Sequence, residues 1–183
     1  MNEKYYIFSM NNERKILYMS AIINLVIGVS VGIVLFFGQL RSGNSLPENI
    51  YDYEKNISVS DFLTALWINA LWLFSIPLAY GLLRVRLIHP VVIVRGAVTS
   101  FTVLYTLQIF GFREASASVI PQCLCVLPML IMFSAETASS RKGGERGADI
   151  IVRKSEIFGI IALSIVSAGI EVLVFNLFCT YLF

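Results

Sequence analysis

Arg95, Glu136 and Glu171 stand inside stretches otherwise made almost wholly of apolar residues, with Asn24, Asn69, Thr102, Tyr105 and Gln122 as uncharged polar groups in the same stretches. A charge removed from water costs several kcal/mol unless it is paired, so such positions are where a relay, an ion site or a lock between helices would be built. With about 1.5 Å of helical rise per residue, Arg95 lies about 9 Å beyond His89, and Glu136 and Asn24 stand at about that level on their own stretches. Arg95 and Glu136 are therefore the expected ion pair. The same count puts Glu171 about 20 Å deep, out of reach of Arg95 and level with Asn69, Thr102 or Tyr105, and Gln122. Without a cation nearby, Glu171 is expected to be a neutral carboxyl hydrogen-bonded across helices. The alternative is one station of a proton or ion relay, for which no chain of further ionisable groups follows.

Other chemistry lacks its residues. His89 is the only histidine, no aspartate falls within the apolar stretches, and HExxH and paired intramembrane aspartates do not occur. Hydrolysis has no candidate machinery, and the chain is not read as an enzyme. A lone histidine before Pro90 reads as a helix-end cap or an interface residue. Cys123, Cys125 and Cys179 form neither a metal-ligand pattern nor a disulfide framework and read as small packing residues. No metal or cofactor is expected.

The elements that must hold these residues are five apolar stretches, about 16–40, 62–83, 91–111, 119–139 and 157–183, in a chain that is 57% hydrophobic and 14% charged. About 20 apolar residues suffice to cross a bilayer, and lipid offers the backbone no hydrogen bonds, so each stretch must be a helix. The expected fold is an all-α membrane bundle of five transmembrane helices forming a single domain over residues 1–183. The first stretch is longer than the apolar core of a secretory signal and lacks a cleavage site after Phe37-Gly38-Gln39-Leu40; it reads as a retained helix.

Lysine and arginine set the orientation, because short loops rich in them stay in the cytoplasm. With the N-terminus inside, eleven of the 14 basic residues fall on the inner side and three, Arg41, Lys55 and Arg113, on the outer side. The expectation is a cytoplasmic N-terminus and an external C-terminus in the cell membrane. Topology and anionic lipid then account for the net charge of +2, and no nucleic-acid partner is implied. The outer loop, 41–61, is acidic and reads as a solvated connector, with a sequon at Asn56-Ile57-Ser58; the inner loop, 141–156, lacks the order of a phosphate-binding loop. Pro121 and Pro128 in the fourth stretch and Pro77 in the second are expected to kink their helices. Gly28-x-x-x-Gly32 in the first, and Gly159, Ser164, Ser167 and Gly169 in the last, are small residues at helix-packing spacing.

Four segments together carry a family resemblance. Val94-Arg95-Gly96-Ala97-Val98-Thr99-Ser100-Phe101-Thr102 is followed by Gly111-Phe112, then by Ile120-Pro121-Gln122-Cys123-Leu124-Cys125-Val126-Leu127-Pro128, and finally by Ala168-Gly169-Ile170-Glu171. In order, and on five spans, they resemble the stage II sporulation protein M family. The resemblance implies a non-catalytic membrane scaffold, embedded in the lipid bilayer, that anchors and localises peptidoglycan-degrading partners, stage II sporulation proteins D and P, during engulfment in sporulation. The alternative is a permease-like subunit or small channel component of a transport or secretion system, using the Pro121–Pro128 break and Glu171.

Overall fold

The computed structural model describes residues 3–41, 59–83, 87–109, 126–140 and 154–182, with shorter pieces at 111–112, 115–116, 120 and 123. The helices that organise it are α1 (Glu3–Arg41), α2 (Val59–Leu83), α3 (Pro90–Ile109), α4 (Leu127–Ser140) and α5 (Lys154–Leu182). No strand occurs among the described residues. Four segments, Asn12–Arg41, Phe62–Leu82, Pro90–Ile109 and Glu156–Leu173, are long and apolar enough to cross a membrane. The chain is thus built as an all-helical membrane protein.

The fourth expected span departs from its sequence reading. Among the described residues Ile120 is helical, Cys123 and Val126 sit in wider, π-type turns, and α4 proper runs from Leu127. Pro128 is the second residue of α4 and follows the π-type turn at Val126. Cys123 is exposed rather than packed. Pro121, Gln122 and Cys125, the side chain of Cys179, and residues 42–58 and 141–153 of the two long loops lie outside what is described. Pro77 stays inside α2, which continues through it to Leu83, and the Ser75 hydroxyl donates to the Trp72 carbonyl at 2.6 Å one turn before.

α1 and α3 pack side by side in parallel. A Cβ on Gly28 would run into the carbonyl of Ile93, and one on Gly32, four residues on, into the carbonyl of Ala97, also four residues on. Equal steps along both helices mean equal direction. Gly96 returns the contact, with space for a Cβ only 3.0 Å from the Leu25 carbonyl, and the Ser100 hydroxyl donates to the Val29 carbonyl at 3.1 Å. Phe36 meets Phe101 edge to face at 5.8 Å further along. The glycines let the backbones approach, and that approach is the source of the attraction, because lipid supplies no hydrophobic drive between apolar helices.

The remaining contacts gather helix ends. Tyr18 of α1 bonds Glu136 near the end of α4; Tyr80 near the end of α2 bonds His89 just before α3; Phe133 of α4 lies against Gly159 near the start of α5. So α1 near Tyr18 and the starts of α3 and α5 lie where α2 and α4 finish. Leu17, Leu73, Ile76, Val92, Leu130 and Ile160 from all five helices form one buried cluster there. In α5, Ser164 and Ser167 are buried but donate to their own helix, and a Cβ at Gly169 would meet nothing within 4 Å.

Candidate functional site

α2 buries Asn69, Leu73, Ile76 and Tyr80, spaced four, three and four residues apart, so one face of the helix is turned inward along its length. Polar groups at the two ends of this stripe organise two clusters.

At the first, Asn69 is 2% exposed and its Nδ2 donates to Glu171 Oε2 at 3.0 Å, tying α2 to α5. Trp72 follows three residues after Asn69 on the same face, and the Arg95 guanidinium of α3 lies over its ring at 5.2 Å from the centroid. Arg95 is 7% exposed, and the carboxylate whose charge acts on it is Glu171. A cation, an aromatic face, an amide and a carboxylate thus lie within about one turn of α2.

This corrects the expected pairing. Glu136 faces outward, accepting a hydrogen bond from the Tyr18 hydroxyl at 3.2 Å and meeting Arg14 at 3.8 Å, with both charged side chains 48% exposed. Arg95 instead lies within electrostatic range of Glu171, which the depth count had placed beyond its reach. Rise per residue fixes a position along one helix but not the offset between helices. The Asn69–Glu171 bond sets that offset, and side chains lean toward the N-terminus of their helix, which brings the Glu171 carboxyl back toward the start of α3. Glu171 is accordingly not a carboxyl without a cation. Of its other expected partners, Tyr105 is buried, Thr102 is half-buried and accepts from the Thr106 hydroxyl at 2.9 Å through its carbonyl, and Gln122 lies outside the described residues.

The second cluster was not anticipated. His89 is 1% exposed, with its Nδ1 in contact with the Tyr80 hydroxyl and 2.7 Å from Ser134 Oγ, and Tyr80 and Ser134 are 3.0 Å apart. Its ring stands edge-on to Tyr80, and Nε2 is buried with no hydrogen-bond partner. Burial pushes the imidazole down to about 4 from 6.5, because a charged ring would lose its hydration. The histidine does fit its expected place at a helix end: its carbonyl accepts from the Ile93 amide at 3.0 Å in the first turn of α3. The same connector is held from the other side. Asn24 Nδ2 donates to the Leu87 carbonyl at 3.0 Å and to the Ser20 carbonyl at 2.7 Å, and the Ser20 hydroxyl also donates to Leu87. Asn24 therefore serves the α2–α3 connector and not the Arg95 level.

Chemically, the first cluster is a charged lock among three helices and the second a neutral one. Among the described residues no group of three His, Cys, Asp or Glu is placed to hold a metal ion. Trp72, Tyr80 and Ser134 escaped the sequence reading, although Trp72 and Tyr80 recur on the inward stripe begun by Asn69. No family model, curated protein or solved structure matches this chain.

Proposed function

We propose that the protein is a non-catalytic scaffold of the cell membrane, of the stage II sporulation protein M kind, holding peptidoglycan-degrading partners at the membrane. Five spans, an inner N-terminus and an outer C-terminus complete this reading, which places the 41–61 loop on the cell-wall side.

The observation that carries it is the meeting of segments that resemble that family. Arg95 comes from the first of them and Glu171 from the last, and the charge of one acts on the other. Gly96, beside Arg95, seats α3 on α1. Asn69, Asn24, Ser100 and Ser134 each bond another helix or a connector, which suits a body that must keep its shape while partners do chemistry.

Co-expression with the host's own membrane-associated peptidoglycan hydrolases tests the reading. Affinity capture of such a hydrolase, and its dispersal from its normal site when this chain is deleted, are the expected results. A solute or proton flux in proteoliposomes containing only this protein, without hydrolase capture, would overturn it in favour of a permease-like component.

A further inference from the structure

The imidazole of His89 is enclosed by groups from three elements at the end of the bundle where five helices meet. Tyr80 reaches it from α2 and Ser134 from α4, while its own backbone carbonyl opens α3. Both side-chain contacts converge on Nδ1, and Nε2 is buried without a hydrogen-bond partner. This arrangement accommodates a neutral ring. An imidazolium carries an N–H on both nitrogens, of which the one on Nε2 has no acceptor, and a charge removed from water.

Among the described residues, the charged and titratable groups on the surrounding helices other than Tyr80 make contacts that do not involve the ring. On α4, Glu136 turns to Arg14 and Tyr18 of α1; on α3, Arg95 lies over Trp72 and within electrostatic range of Glu171 of α5; on α2, Tyr80 already contacts the ring; Glu156 is buried at the start of α5. Burial is the cause of the ring's perturbation, and no carboxylate contributes to it.

We propose that Tyr80, His89 and Ser134 form an acid-sensitive latch, closed while His89 is neutral and released when it takes up a proton. Release frees the start of α3 from α2 and α4, while Ser20 and Asn24 retain the Leu87 carbonyl on α1. The direction follows from proton binding. The closed form holds His89 at about 4 against 6.5 in the open form, so the open form binds more protons between those values. Latch stability is complete above pH 6.5 and declines as pH falls toward 4. From pH 8 to pH 5 the open-to-closed ratio rises about 30-fold.

The full chain in lipid nanodiscs provides the test, with the Ile93 amide, bonded to His89, as local reporter. Its hydrogen-exchange protection factor, corrected for intrinsic rates, is expected to fall about 30-fold from pH 8 to pH 5. His89→Gln, which does not titrate, removes that dependence. Ser134→Asp supplies a carboxylate beside Nδ1 and preserves protection at pH 5, which keeps the proposal testable where the glutamine variant fails to fold. As the only histidine, His89 also gives a single ring signal by NMR whose midpoint is read directly. Equal protection of the wild type at both pH values, or an undiminished fall in Ser134→Asp, would overturn the latch.

Discussion

Asn69 and Glu171, 102 positions apart, are joined by a 3.0 Å hydrogen bond that fixes the register of α2 against α5. With the register set, Trp72 falls beneath the guanidinium of Arg95, and Glu171 comes within electrostatic reach of that cation. The bond therefore has consequences beyond its own strength, since it decides which carboxylate compensates the buried arginine.

Glu171→Gln should destabilise the bundle although glutamine fits the same volume and still bonds Asn69. It removes the charge that faces Arg95 and leaves a buried cation, a loss of up to about 3 kcal/mol. Arg95→Leu with Glu171→Leu should recover much of it. Thermal unfolding of the purified protein checks this, and additive losses in the double variant would show that the two charges do not interact.

Glu136 should behave as a surface group. Glu136→Gln is expected to cost less than about 1 kcal/mol, since its pair with Arg14 is half-exposed. Combined with Arg95→Leu, its effect should simply add. A non-additive cycle between Arg95 and Glu136 would restore the pairing inferred from depth alone.

The α1–α3 contact offers an internal control among glycines of one helix. Gly28→Leu and Gly32→Leu force side chains into the backbone of α3 and should cost about 1–3 kcal/mol each. Gly38→Leu should be silent, because a Cβ there meets nothing within 4 Å. Similar unfolding temperatures for all three variants would contradict the parallel packing.

Reporters fused within 141–156 and after residue 183 should read cytoplasmic and external respectively, as the distribution of lysine and arginine requires. A C-terminal reporter active in the cytoplasm would exclude five crossings.

How much was legible beforehand depended on the physical signal available. The apolar stretches announced the helices because lipid enforces backbone self-satisfaction wherever 20 or so apolar residues run together. Gly28 and Gly32 marked a packing face on the first helix through size, with α3 as its partner known only from the structure, and Asn69 was placed beside Glu171 by level. Gly111, at φ 100°, follows α3 as expected of a glycine that alone adopts such a backbone freely. Arg95 and Glu136 failed because level was the only criterion, and level does not say which way a side chain faces.

The sequence by itself determined which segments are helical and where polar groups lie along each one. Tertiary structure alone decided which face of each helix turns inward. In water, an amphipathic pattern would have carried that information, but a lipid-facing side is as apolar as the core, so α1 shows Ile22, Ile23 and Val26 to the outside while burying Ala21, Asn24 and Gly28. Burial there follows smallness and hydrogen bonding rather than hydrophobicity. Partners such as Trp72 for Arg95, and Tyr80 with Ser134 for His89, exist only once α2 and α4 are docked, because each bond spans helices whose relative rotation no single segment contains.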